Sequence, residues 1–393
     1  MQLGWIDFSR NERNKILQAL RMLEKSEALD ELGIGVIRDG YADLLFPGIS
    51  TLQRRAKYFV LIPYLFGMAE HRSFKNSAEI LTWINKQEHL LVPVLMKTSE
   101  ESDEEISGII GSRSHPKAVK VMPSSIYWNG MRTFEIIREE NLSISNVCSI
   151  IMGKQIRKSE VEITTEAKNS DGQGFDDITA ANENLSVFSP ILPDYAFMSE
   201  AEITLTKKEA EYLYLKMVTA KKTRNSLLAF MLREKLLFPS FSDINESILS
   251  DDLRINVSLA KMFADFIYGA HIRYNVIFAD GKDDEMTAVY QQWRDDFDFD
   301  SFNLLAVLSK VKENPDLKTF LNEFCLLAEK GDDKAVDQLI IRREKAIKRD
   351  RAKLCKPQEY RYDPARRVHY YKLNYRYNTA YTIINDVLSG MEG

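Results

Sequence analysis

Residues 252–278, DLRINVSLAKMFADFIYGAHIRYNVIF, decide the fold class. Apolar side chains recur there at helical spacing, with no proline, over a length that no strand sustains. Working outward, the same periodicity predicts helices over 207–235, 286–296, 302–312, 317–329 and 334–353, and a closing amphipathic helix over 378–390 (NTAYTIINDVLSG). Toward the N-terminus, Ser9 and Glu12 form a capping box ahead of a helix over 10–24. A second helix runs from Val36 to Leu45 and stops before Pro47 and Gly48. Ser50 caps a third, with Leu52, Ala56, Phe59 and Val60 inward and Gln53, Arg54, Lys57 and Tyr58 outward, until Pro63 kinks or ends it. Residues 77–89 predict a further helix, and 124–127 a less regular stretch. The expected class is mainly α with minor β: multi-helical, in two domains, with room for small winged-helix-like elements.

The chain has 393 residues, 45% of them hydrophobic, enough to bury a substantial core in more than one domain. Its apolar runs are too short for a bilayer span of about 20 residues, and the opening turns charged where a signal peptide needs an apolar centre. No membrane association and a cytoplasmic location are expected. Cys148, Cys325 and Cys355 are far apart, which excludes a disulfide framework or a cysteine-rich zinc module. Residues 155–184 are polar and poor in large apolar side chains, so the expected organisation is an N-terminal helical domain (1–154), a linker or long loop (155–184), a second helical domain (185–341) and a basic aromatic C-terminal unit (342–393). An ordered hairpin around 161–165 is the alternative.

The strongest functional signal is Arg342–Tyr377, RREKAIKRDRAKLCKPQEYRYDPARRVHYYKLNYRY, with thirteen Lys and Arg against four Asp and Glu. Its charge of about +9 sits in a chain of net charge −5, so the remainder carries about −14. Arg342, Arg343, Lys345, Lys348, Arg349, Arg366, Arg367, Lys372 and Arg376 offer charge to phosphates, and Tyr370 and Tyr371 offer stacking surface. Two bland readings stand beside this one. The acidic run Asp280–Asp300, with eight acids against two bases, can neutralise the segment within the fold, and alternating Tyr371, Leu373, Tyr375 and Tyr377 can form a strand with one packed face.

Other motifs are weaker. The helices either side of the PGIS turn suggest a helix-turn-helix that would present Gln53, Arg54 and Lys57 to nucleic acid, although ordinary helix packing gives the same pattern. Arg55 sits at the stripe's edge, placed to pair with Asp39 or Asp43. Asp39 and Asp43 share a helix face, but no third carboxylate accompanies them, so no metal site is assigned. His115 and Lys117 (HPK) resemble the start of the phospholipase D signature. Met122 and Pro123 stand where that signature needs its Asp, and no second copy follows. His71, His89, His271 and His369 are scattered singly, as surface or capping residues. No phosphate-binding loop, nucleophile elbow or dinucleotide fingerprint is present, and no cofactor is called for.

LGWIDFS (Leu3–Ser9) followed by DELGIGVIRDGYADLLFPGISTLQRRAKYFVLIPYL (Asp30–Leu65) resembles the N-terminal signature of a bacterial domain-of-unknown-function family, with a fainter echo in YKLNYRYNTAYTIINDVLSG. The resemblance supplies no catalytic residues. It implies gene neighbourhoods rich in helicases and antiviral defence components. The expected function is therefore a non-catalytic accessory or scaffold component of a DNA-directed anti-phage assembly. Its partners would be DNA or RNA and other defence proteins such as a helicase, contacted through the basic aromatic C-terminus. Two alternatives are a metal-dependent nuclease or other phosphodiester enzyme, using acids such as Asp7, Asp39 and Asp43, and a pure protein-interaction module.

Overall fold

The computed structural model describes residues 30–99, 108–168, 187–188, 193, 195–312, 314–364, 367–368 and 371–393, with backbone only over 157–168. The helix expected over 10–24 lies outside the described residues. The described chain is mainly helical: α1 (Gly35–Leu45), α2 (Tyr58–Glu70), α3 (Ser77–Thr98), α4 (Pro123–Thr133), α5 (Ile144–Lys168), α6 (Lys207–Thr219), α7 (Leu227–Glu234), α8 (Asp251–Ala279), α9 (Asp284–Asp296), α10 (Pro315–Glu329), α11 (Asp333–Lys348) and α12 (Tyr377–Glu392). Its β structure among the described residues is an isolated bridge between Ile137 and Phe188.

The helices group into two compact units that interleave in sequence. One holds the described residues up to Leu45 together with Ser240–Tyr375; the other holds Phe46–Pro239 with Arg376–Gly393. The segment 342–393 is thus divided after Tyr375. The segment 155–184 falls within the second unit's range: α5 continues through it to Lys168, taking 161–165 into helix rather than a hairpin, and 169–186 lies outside the described residues.

In the first unit α8 is the central element, packing against α1, α9 and α11. It buries Leu253, Val257, Ala260, Phe263, Ile267 and Ala270 on recurring turns, as its periodicity requires. Gly269 lies under the Trp293 ring, where a Cβ would sit 2.2 Å from ring carbons, so α9 approaches α8 closely only because this position lacks a side chain. Trp293 also donates its indole N–H to the Asp265 carbonyl at 2.8 Å. Phe266 stacks on Phe302 with ring centroids 4.2 Å apart. Side-chain caps set the helix starts: Asp283 accepts from the Met286 N–H, Asn314 from Leu317 and Asp332 from Ala335. Asp30 does the same for α1, accepting from the Ile34 and Gly35 N–H groups at 2.9 and 2.8 Å.

In the second unit α2 is apolar all round and buried all round, the pattern of a central helix, and it packs against α3, α4 and α5. It continues through Pro63, which leaves the Phe59 carbonyl without its partner in the ladder; the apolar packing on every side carries the helix across the gap. The stretch expected to be irregular around 124–127 is α4, started by Pro123 at its first position. α12 closes the unit against α6 and α7. Tyr377 fastens it, donating its hydroxyl to the Phe238 carbonyl at 2.7 Å and accepting from the Phe238 N–H at 3.1 Å.

The strand expected over 371–377 does not form, nor does a winged-helix element among the described residues. Tyr375 and Arg376 have φ of 52° and 65°, a left-handed pair that ends any extended run and turns the chain into α12.

Candidate functional site

The cations of the basic segment separate into two sets. α11 buries Val336, Leu339, Ile340, Arg343, Glu344 and Lys348, and this inward face decides the first set. Arg343 donates Nε–H to the Leu32 carbonyl at 2.8 Å and lies over the Phe320 ring; burial draws its pKa below the ordinary guanidinium value. Lys348 meets the buried Glu31 carboxylate at 3.3 Å, which Lys353 shares at 2.6 Å. Arg367 pairs with Asp283 and Glu285 at 2.9 and 2.7 Å. The hydrogen bonds it makes with Glu285, Tyr362 and Asp283 raise its pKa against the effect of burial. Lys372 pairs with Asp265, and Arg376 donates to the Ile49 carbonyl at 2.9 Å. Arg343, Lys348, Arg367 and Arg376, expected to face a polyanion, are engaged within the fold, whereas Lys372 keeps its ion pair at the surface, 53% exposed. The acidic run contributes through Asp283 and Glu285.

The second set faces water. Lys334, Gln338, Arg342 and Lys345 are exposed and recur along α11 at steps of four, four and three, which places them on one helix face. Arg349, also exposed, follows at the helix end. At 1.5 Å per residue, the row from Lys334 to Arg349 is about 22 Å long. Arg342 has Glu323 at 3.9 Å, and both side chains are largely solvated, a geometry of small energetic value. Tyr371 is 80% exposed. Arg366 and Tyr370 lie outside the described residues. Lys334 was not singled out from the sequence, because it precedes the dense basic run and only the helix phase joins it to Arg342.

Residues 53–57 depart from expectation. The third helix starts at Tyr58, not after Ser50. Gln53, expected outward, is 2% exposed: its carbonyl accepts from the Ser50 N–H and its amide donates to the Gly48 carbonyl. Lys57 is 1% exposed, with Nζ 2.6 Å from Glu209 and 2.9 Å from the Thr204 carbonyl. Glu209 also receives the hydroxyls of Tyr64 and Tyr195. Tyr58 is buried too, whereas Leu52, expected inward, is 50% exposed. Arg54 is exposed and Arg55 pairs with Asp386 at 2.9 Å rather than with Asp39 or Asp43. A helix-turn-helix that presents Gln53 and Lys57 to a groove is therefore not what this segment forms.

Among the described residues, no three His, Cys, Asp or Glu gather to hold a metal ion. Asp39 pairs with its neighbour Arg38, Asp43 is exposed, and Asp7 lies outside the described residues. The histidines are not all scattered: the rings of His89 and His115 lie 5.7 Å apart, 26 residues apart in sequence, so spacing gave no hint of the pair. No helix of the described residues is long and apolar enough to cross a membrane.

The geometry defines a multi-helical protein with a cationic helix face. Residues 1–158 match a family described as a family of unknown function (DUF6361). No curated protein and no solved structure matches the chain.

Proposed function

We propose that the chain is a non-catalytic accessory protein that contacts nucleic acid through the outward face of α11, within a DNA-directed defence assembly. The assembly follows from the sequence resemblance; the contact rests on one observation, the alignment of Lys334, Gln338, Arg342 and Lys345 on one exposed helix face, with Arg349 beyond. With strand phosphates about 3.4 Å apart along a duplex axis, a row of about 22 Å runs beside about six of them. The buried face of α11 is anchored by Arg343 and Lys348, so the row is borne on a packed element and loses little freedom on binding.

The test is binding of a fluorescent duplex by the full chain across a salt series, beside a variant with Lys334, Arg342, Lys345 and Arg349 all changed to Ala. Affinity is expected to fall steeply with salt, and the variant is expected to lose about 0.9 of the log–log slope for each phosphate contact removed. Equal affinity and slope in both proteins, or no binding by the parent at low salt, overturns the proposal. Deleting the segment would be uninformative, because its Arg343, Lys348 and Arg367 pack within their unit.

A further inference from the structure

We propose that the cleft beneath His115 and Lys117 is a binding site for a compact organic anion: a phosphate or carboxylate head on a small apolar body. It lies wholly in the second unit, between α3 and the turns that lead to α4, and is independent of the α11 reading. The cleft has a volume of about 240 Å³ and its lining includes Glu88, His89, Val92, His115, Lys117 and Met122. That is room for about eight waters, just below the ~300 Å³ where sites for drug-sized ligands begin.

Exposed donors stand at the mouth, and buried Val92 and Pro123 line the cleft beside Glu88. His115 and Lys117 are exposed at the mouth, and His89 comes from α3 to place its ring 5.7 Å from that of His115. Local hydrogen bonds hold the rim: the His115 N–H donates to the Gly111 carbonyl at 2.9 Å and the Lys117 N–H to the Ser114 carbonyl at 2.7 Å. Gly111 has φ +98°, and a Cβ there would meet Val119 and Val92 at 3.1 and 3.4 Å, so glycine preserves the shape of the apolar floor. Each imidazole has an N–H to donate in either protonation state, and the ammonium adds three donors, so the rim is built to donate.

Glu88 is the one acid of the lining, and its setting removes the objection to an anion. It is 5% exposed, accepts the Ser124 N–H at 2.6 Å and the Ser124 hydroxyl at 3.1 Å, and burial pushes its carboxyl up to about 7. Near neutral pH it therefore carries a reduced negative charge, while Lys117 at the mouth is positive. An anionic head at the rim with an apolar body toward Val92 and Met122 satisfies both halves of the cleft.

Calorimetric titration of the full chain with phenyl phosphate, benzoate, inorganic phosphate and benzyl alcohol tests this. Phenyl phosphate or benzoate, whichever matches the head, is expected to bind, and benzyl alcohol is not. Lys117→Ala should weaken binding by about tenfold or more, and Ala118→Trp, at an exposed lining position, should abolish it by filling the mouth. Both changes are at the surface, and a melting curve matching the parent's confirms the fold. Binding of benzyl alcohol as tight as that of the anions, no binding of either aromatic anion, or parent-like affinity in both variants overturns the proposal.

Discussion

Arg342 and Arg343 are neighbours in sequence and opposite in circumstance. Arg342 projects into water with an acid at 3.9 Å; Arg343 is buried, donates to a main-chain carbonyl and covers an aromatic ring. A helix turns about 100° per residue, so adjacent side chains divide between its two faces. A strongly basic stretch is therefore two populations. One neutralises Glu31, Asp283, Glu285 and Asp265 within its own unit, and the other forms a row along α11. Local charge density says nothing about which cations meet a partner, whereas helix phase does.

The sharpest way to break this comparison is at Lys57, an inward cation with the same sequence appearance as an outward one. Lys57→Ala strands Glu209 in a site that is closed to water. It should cost about 3–5 kcal/mol of unfolding free energy in urea, and a loss below 1 kcal/mol would mean that Glu209 finds water readily. The second test concerns a buried acid without a cation. The folded Glu88 carboxyl keeps its proton up to about pH 7, while the unfolded one releases it near 4.5. The folded state therefore binds more protons between these values. Stability is fully present below about pH 4.5 and declines as pH rises through about 7, by up to about 3 kcal/mol. Glu88→Gln should flatten that part of the stability–pH curve, and curves that stay parallel would remove burial as the cause.

Smaller effects sharpen the contrast on α11 itself. Arg343→Ala removes the hydrogen bond to Leu32 and the Phe320 contact and should lower stability by about 2 kcal/mol. Arg342→Ala should change it by no more than about 0.5 kcal/mol. Thermal melts of the two variants side by side check this, and equal losses would show that the two faces are not distinct. The melt of the Lys334, Arg342, Lys345 and Arg349 variant should also move little, since all four side chains are exposed; its expected effect is on the salt dependence of the proposed nucleic-acid contact.

The long helices were legible because their signal is local. α8 occupies 251–279 where periodicity predicts 252–278, and α9, α10 and α12 match within a few residues. The expected 207–235 helix is two, α6 and α7. The break comes where Thr223 turns its hydroxyl onto the Met217 and Ala220 carbonyls and Ser226 caps the next start. The stretch after Ser50 misled for a non-local reason. Gln53 closes a turn on Gly48 and Ser50, and the Arg54 and Arg55 N–H groups donate to the Tyr127 hydroxyl at 2.7 and 3.1 Å. A partner more than 70 positions away takes the hydrogen bonds that a helix would have used.

Of the candidate site, sequence alone determined the residue types and the excess of charge between 342 and 377, because composition needs no geometry. It also determined the helical class, since a 3.6-residue period is written in consecutive residues. Only the tertiary structure decided that Arg343, Lys348 and Arg367 face inward, that Lys334 joins Arg342 and Lys345 in one row, and that His89 meets His115 over a cleft. Whether a charge is available depends on what covers it, and covering residues come from anywhere in the chain.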